Sequence, residues 1–582
     1  MSQLFSKIKV ANSSRSTFDL SHHQVTTSDF GYLIPICYRD MLPNDDFVVK
    51  PDIYCRLAPL AMPVYGKITC SIFHFFVPYR VLYPKWDSFI TQDASNNTVP
   101  PYITFSNLYN VAMNDPAINL DDAPGDEVSR GLYQRLLSNL GFNPNFLNVN
   151  HNLNDERFAA FPLLAYQRIW MDYFMDSNIN SHSSMIESFN QQIANGGSLS
   201  QSFVADILQC RNACFKKDYF TTAKLSPQSG NPATVGVDIA SASLNPGLWN
   251  TSETVSNMQK KGNAAQVGIT SGRTSKIGQF TAEVMRYASA LQRYSERSNF
   301  VGSKLINQLL VHFGVAPTAE RLDMAEFLGG DSFPIQIGDV TSTSQQSTGS
   351  SLDSFGLGAQ AGKGIGACSG NSVRYHAKEH GVFMSLMTIR PDTGYYQGIS
   401  RFWTKGVTGD AFDYFTPEFE NLGYQEVLNK EVFVPQNVEE DYQDWNPDGI
   451  FGYQPRYSEY KFQNDVLGSD FVAVDTADPF SQSQSTAIGS PMDSFHLFRH
   501  LSYNDSSPLA LNNNFVECNN QANDYDRIFQ ITDNKLDHFY FNIDVDVKAT
   551  RDMVDFAEPS IDAVQNLGDG NKIEIPYGGT RL

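Results

Sequence analysis

The sequence predicts a mainly β protein, an antiparallel sandwich elaborated by long helical and loop insertions. Three observations carry this: alternating strand patterns gather near both ends, residues from about 90 to 375 read mostly as helix and loop, and no regular strand–helix alternation runs through the chain. With 582 residues the domain count stays open, because a large β fold can carry insertions around one core.

Taken in order, the chain opens on a basic arm. Residues 1–18 hold Lys7, Lys9 and Arg15 without an acid, among Ser, Thr and Asn, as expected of a solvated terminus. Strand candidates follow at "GYLIPI" (31–36) and "DDFVVK" (45–50). In "KITCSIFHFF", Ile68, Cys70 and Ile72 alternate with Thr69 and Ser71 before both faces turn apolar. That strand runs on into Phe75, Phe76, Tyr79, Tyr83 and Trp86, a density of rings with no catalytic motif around it.

Two helices stand out in the middle of the chain. "FPLLAYQRIWMDYFMDSN" (161–178) has Pro162 near its first turn, where a missing N–H costs nothing. "TAEVMRYASALQRYSERSN" (281–299) is amphipathic: Val284, Ala288 and Leu291 share one face, and Arg286, Arg293 and Arg297 fall at i, i+7 and i+11 on the other. Segments 226–279 and 341–372, rich in Ser, Thr, Gly and Asn, read as loops. Further strands are expected at "HGVFMSLMTIR" (380–390) and "KEVFVP" (430–435). The last, "FYFNIDVDVKAT", sets Phe539, Phe541, Ile543, Val545 and Val547 against Tyr540, Asn542, Asp544, Asp546 and Lys548, so one face meets a core and the other does not.

Composition narrows the function. A net charge of −21 excludes a chain that embraces nucleic acid with its whole surface, so any polyanion footprint is local. Seven cysteines, odd in number and sparse, read as reduced thiols of a protein folded in a cytoplasm. No apolar run reaches the roughly 18 residues of a membrane span, and the N-terminus lacks a secretion signal's apolar core.

Each candidate for chemistry has a plainer reading. "GLGAQAGKGIG" (356–366) lacks the Ser or Thr after Lys363 that a phosphate loop needs, and it reads as a flexible loop. His496 and His500 lack a third metal ligand nearby, and Cys210 and Cys214 lack a second thiolate pair, so both couples read as structural. Asp544 and Asp546 read as a solvated strand face rather than a calcium site. No catalytic, cofactor-binding or metal-binding residue is assigned.

Charge is unevenly spread. Residues 273–304 carry six bases and two acids, a balance of +4, whereas residues 410–475 carry fifteen acids and three bases, a balance of −12. Such polarity suits one face turned to a polyanion and another to water or a basic partner.

Collinear blocks then carry a resemblance. "FDLSHHQVTTSDFGYLIPICYRDMLPNDDF" (18–47) and "RLAPLAMPVYGKITCSIFHFFVPYRVLYPKWDSFI" (56–90) are similar to the opening of Microviridae major capsid proteins of the gokushovirus type. The similarity continues through "KKDYFTTAKLSPQSG" (216–230), "LLVHFGVAPTAERLDMAEFLGG" (309–330), "EHGVFMSLMTIRPDTGYYQGISRFW" (379–403), "FGYQPRYSEYKF" (451–462) and "MDSFHLF" (492–498). Positions 224–227 depart from the relatives' usual Pro-Trp-Pro-like sequence, which puts the backbone there in question.

The resemblance implies an eight-stranded antiparallel jelly roll of the viral capsid type, residues 19–582, with large insertions between strands. It implies a T=1 icosahedral shell of about sixty copies around circular single-stranded DNA, with a small basic packaging protein and other viral structural proteins as partners. The rings Phe75, Phe76, Tyr79, Tyr83 and Trp86 would then be buried either in the fold or against neighbouring subunits, which makes them candidates for subunit contact. Lys7, Lys9, Arg15, Lys216, Lys217, Arg286, Arg293 and Arg297 become candidates for facing DNA. Residues 228–278 coincide with the family's variable insertion, a threefold protrusion, so Trp249, Asn250, Lys260 and Lys261 are candidates for touching a host receptor. The expectation is a structural virion protein without enzymatic activity, assembled in a bacterial cytoplasm and not inserted in a membrane. Its rival is a carbohydrate-binding jelly roll that uses exposed rings as sugar platforms.

Overall fold

A computed structural model describes residues 15–60, 64–92, 99–114, 132–148, 156–230, 282–341, 360–407, 411–420, 422–435, 445–471, 497–499, 501, 509–518, 525–530 and 537–553. Two compact units emerge, residues 1–225 with 315–582, and residues 226–314.

The first unit is built on one curled antiparallel sheet. Its strands in chain order are β1 (Ser16–Asp19), β2 (His22–Ser28), β3 (Ile34–Met41), β4 (Asp46–Leu57) and β5 (Ile68–Pro78). Two three-residue strands outside this sheet, β6 (Tyr102–Thr104) and β7 (Arg157–Ala159), pair with each other. Then come β8 (Glu326–Thr341), β9 (Gln360–Ser369), β10 (Val373–His376), β11 (Gly381–Pro391), the separate pair β12 (Tyr424–Leu428) and β13 (Ile450–Pro455), and β14 (Phe539–Arg551). Across the sheet the order is β1-β14-β4-β9-β8-β5-β11-β3, with β2 also on β14 and β10 also on β4. The sheet thus has ten strands rather than the eight expected, and its curled antiparallel form is that of a capsid jelly roll, as the resemblance implies.

The curl is made by β8, which is long enough to pair twice. Glu326 to Ile335 lies against β5, and Gln336 to Thr341 lies against β9. The two ends of the sequence meet in the sheet, because β14 pairs with β4 over Asp46 to Leu57 and with β2 over His22 to Ser28.

Side-chain alternation then decides the two cores. On β14, Phe539, Phe541, Ile543, Val545 and Val547 point into the curl, and the residues between them are exposed, as their pattern predicts. The same inner core takes Phe47, Val49 and Ile53 from β4, Cys70, Ile72 and Phe76 from β5, and Phe383 and Met387 from β11. Strands β5 and β11 are buried on both faces, since Phe75, Val77, Val382, Met384 and Leu386 point the other way into a helical layer. Each fully buried aliphatic or aromatic side chain contributes about 1.5–3 kcal/mol, so this central pair anchors the fold.

The helical layer consists of α1 (Tyr79–Leu82), α2 (Trp86–Ile90), α3 (Phe105–Asn114), α4 (Leu132–Asn139), α5 (Phe161–Ile169), α6 (His182–Ile193) and α7 (Gln201–Leu208). Leu108, Leu136, Leu164, Ile169, Val204 and Leu208 seal it against β5, β11 and the start of β3. Polar ties fix its register: the Tyr166 hydroxyl donates to the Leu33 carbonyl at 2.9 Å, and Gln167 donates to the carbonyls of Ile207 and Gln209 at 3.0 and 2.9 Å.

Several expectations need correction. The glycine-rich run at 356–366 is a strand, β9, over its described part, and the helix-and-loop stretch from 90 to 375 therefore contains β6, β7, β8, β9 and the start of β10 as well. A Cβ on Gly364 would sit 2.7 Å from Leu57, and one on Gly366 would sit 3.2 Å from Ile335 and Phe333. The neighbours' side chains fill the space, so this strand needs glycines where a pattern search looks for apolar residues. "KEVFVP" is not a strand: Asn429–Val432 forms one helical turn, held by Glu431 accepting from the Leu428 N–H at 3.1 Å. The helix expected over 161–178 gives way at Trp170 to a π-turn, Trp170–Phe174. Cys210 and Cys214 lie in extended chain, and all seven cysteines are free thiols. His496 and His500 lie outside the described residues.

The second unit holds α8 (Ala282–Val301) and α9 (Leu305–Phe313), joined into a hairpin. Here the expected apolar face is not the buried one, for Leu291 is 39% exposed and Ser298 is buried. Polar bonds explain it: Gln292 donates to Gln228 and Glu296 at 2.5 and 2.8 Å, Gln308 donates to the Ser298 carbonyl at 3.0 Å, and Ser298 Oγ meets His312 Nε2 at 3.1 Å. Val284's side chain lies outside the described residues.

Candidate assembly surfaces

The ring-rich exit of β5 is interior. Phe75, Phe76, Tyr79 and Tyr83 are all buried within the chain, and Trp86 is half-buried against Tyr79 and Phe161 at ring distances of 4.7 and 5.9 Å. The first four therefore have no surface left for a neighbouring subunit, which corrects their assignment as contact residues. Their energy goes into joining the sheet to its helices.

The basic candidates divide. Lys216 and Lys217 are each ion-paired inside the chain, with Asp392 and Asp176. Burial alone would push the Asp176 carboxyl up, but Lys217 holds it below the usual carboxylate range. Beside it, burial lowers the Lys224 ammonium to about 8 although Asp176 opposes the shift. Arg15 bridges Asp46 at 2.8 Å and Asp552 at 3.8 Å, tying the end of the arm to the sheet. Arg286, Arg293 and Arg297 are exposed along α8, with Tyr287 (69% exposed) and Tyr294 (57%) at the next positions. Lys7, Lys9, Trp249, Asn250, Lys260 and Lys261 lie outside the described residues.

The aromatic surface that sequence reasoning missed lies between Ile399 and Val466. Beneath it is an apolar floor in which Tyr219, Phe220 and Tyr395 pack with Val427, Phe451 and Phe515. Over that floor opens a cavity of about 190 Å³, walled by Arg401, Phe402, Glu431, Glu459 and Phe462. Arg401 joins Glu431 at 2.9 Å and Glu459 at 3.9 Å, and the buried Lys405 reaches Glu459 at 2.6 Å. Burial pushes the Glu431 carboxyl up against the pull of Arg401. It would push Glu459 up as well, but hydrogen bonds from Lys405 and Gln425 hold that carboxyl below its ordinary value.

Rings stand on this charged layer. Lys405 Nζ lies 3.7 Å from the centre of Tyr460 and 5.0 Å from that of Phe402, a cation packed under two aromatic faces. Phe402 meets Tyr460 at 6.1 Å, and Phe415 meets Tyr460 at 6.3 Å. Trp403 is 81% exposed, and Phe402, Phe415, Tyr460 and Phe462 are each about half exposed. The available signal was the interleaving of rings with acids in "AFDYFTPEFE" (411–420) and "YSEYKF" (457–462), which has neither strand nor helix period.

Among the described residues no group of His, Cys, Asp and Glu could hold a metal ion, and no helix is long and apolar enough to cross a membrane. What the surfaces offer is contact.

The comparisons agree with that reading. The family described as capsid protein (F protein) matches residues 6–561. Capsid protein VP1 of Chlamydia phage 1 is 25% identical, covering 93% of this chain and 95% of its own length. Capsid protein VP1 of Bdellovibrio phage phiMH2K is 24% identical over 88% and 90%, and that of Spiroplasma virus 4 is 25% identical over 80% and 84%. With the sheet, the helical layer and the match running together through nearly the whole length, the chain belongs to the phage capsid protein (F protein) family, as a structural component of the virion and not an enzyme.

Proposed function

We propose that this chain assembles with copies of itself into a T=1 icosahedral shell of about sixty subunits enclosing circular single-stranded DNA. The family match over residues 6–561 carries the capsid part of this reading. The resemblance of the collinear blocks to gokushovirus capsid proteins supports the shell size and the genome. Contacts to DNA would be independent of sequence, Lys and Arg to phosphates and rings to unpaired bases. With Lys216, Lys217 and Arg15 engaged by carboxylates of their own chain, Lys7 and Lys9 are the arm's remaining cations for that task. An acidic shell protein needs added positive charge to hold a polyanion, so a small basic packaging protein completes the reading, alongside other viral structural proteins. The segment 228–278 serves as the host-attachment surface, with Trp249, Asn250, Lys260 and Lys261 as its first candidates.

The test is electron microscopy with sedimentation of the full chain, alone and with circular single-stranded DNA and a small basic protein. Uniform icosahedral particles that protect the DNA from nuclease are expected. A chain that stays monomeric in every mixture would refute the shell.

A further inference from the structure

Two exposed faces, on different parts of the chain, complement each other in charge and in chemistry. The ring face presents Phe402, Trp403, Tyr460 and Phe462; the exposed Asp465 lines the same cavity as Phe402 and Phe462, Arg401 donates to the carbonyl of the exposed Glu426, and Glu418 is exposed on the acidic stretch 411–420. Contiguous exposed rings of this kind mark interaction sites. The α8 face presents Arg286, Arg293 and Arg297 with Tyr287 and Tyr294 beside them. Residues 401–475, which contain the first face, hold fifteen acids and five bases, a balance of −10, and residues 273–304, which contain the second, have a balance of +4.

We infer that the ring face of one copy receives the α8 arginine stripe of a second copy, as a heterologous contact repeated around the shell. The inference rests on the shell reading above. Either face set against itself would bring like charges together, which opposes a two-fold contact of each. Set against one another, the guanidiniums meet both carboxylates and aromatic faces, the two partners that planar cations prefer. Two different patches that meet head to tail generate closed rings where the rotation between copies closes, as it does around the symmetry axes of a shell. DNA could also match the stripe, but it would leave the acidic ring face uncovered. A single contact accounts for both faces.

The experiment uses the full chain with circular single-stranded DNA at low salt. One variant carries Arg286→Glu, Arg293→Glu and Arg297→Glu, a second carries Glu418→Lys, Glu426→Lys and Asp465→Lys, and a third carries all six. Each triple variant is expected to lower the yield of sedimenting shells roughly tenfold or more, and the six-fold variant to restore most of it. Thermal unfolding of the subunits checks that they fold. Should a charge reversal unfold its chain, the corresponding Gln substitutions replace it, with a smaller loss and a flatter salt dependence expected. Triple variants that assemble like the parent overturn the contact while leaving the shell reading intact. So does a folded six-fold variant that stays unassembled. Arginine variants that form shells at normal yield but without DNA overturn it too, and assign the stripe to nucleic acid. A parent chain that forms no shells removes the shell reading itself, and this contact with it.

Discussion

The exit of β5 and the ring face have similar side chains and opposite fates. At 72–86 the rings are enclosed between the sheet and its helices, whereas at 402–462 many of them stand over a buried ion network and face outward. The difference lies beneath the rings. Strand β5 is flanked by β11 and β8 and covered on both faces, so every ring on it finds an apolar neighbour. The ring face rests on Arg401, Lys405, Glu431 and Glu459, charges paired with one another, and the rings that cover them are left about half exposed. Aromatic density therefore marks contact, and the neighbouring elements decide whether the contact lies within the chain or beyond it.

The widest gap between the two regions is in folding stability. Phe75→Ala empties a buried site against Tyr173 and Phe327, at 5.0 and 5.4 Å, and is expected to cost about 3–5 kcal/mol in the subunit's denaturant unfolding. A loss below about 1 kcal/mol would mean that the helical layer does not depend on this strand.

Protonation separates the regions next. His74 on β5 is fully buried, its Nδ1 is 2.7 Å from Ser385 Oγ, and burial lowers its pKa to about 4 from an ordinary 6.5. The folded state therefore holds the ring neutral. Its contribution is fully present above pH 6.5 and is lost as pH falls towards 4, on the order of 3 kcal/mol across that window. His74→Gln, which can still bond Ser385, should flatten the stability profile between those pH values. An unchanged profile would place the acid sensitivity of that window elsewhere.

Beneath the ring face the comparison turns on charge. Lys405→Met keeps the apolar stem but leaves Glu459 with Gln425 and a distant Arg401. The expected cost is about 1–3 kcal/mol at neutral pH, falling as acid protonates Glu459. A variant as stable as the parent at neutral pH would show that the rings stand without their cation.

How far these regions could be read in advance follows from where the determinants sit. Strand β14 was legible residue by residue because its alternation is local, and so was the apolar doubling of β5. Strand β9 was not, because its apolar matter belongs to Leu57, Phe333 and Ile335 on other strands. The α8 face misled for a related reason: its partners are the amides of Gln228 and Gln308 and the imidazole of His312, which no hydropathy period records. The ring face depends on residues as far apart as Tyr219 and Phe462 sharing one cavity, a closeness that only the fold creates.

Phe402→Ala should have the smallest effect on folding and the clearest effect on function. The ring is 52% exposed, so its removal is expected to change subunit unfolding by no more than about 0.5 kcal/mol. It nevertheless caps Lys405 and lies 6.1 Å from Tyr460, at the centre of the exposed cluster where contact energy concentrates. A shell repeats each subunit contact many times, so a small loss per copy accumulates and the yield of particles should fall well before stability does. Sedimentation and unfolding measured on one preparation read both quantities. If Phe402→Ala destabilised the subunit as Phe75→Ala does, the ring face would be core with an open side rather than a surface awaiting a neighbour, and the contrast between the two regions would be one of degree.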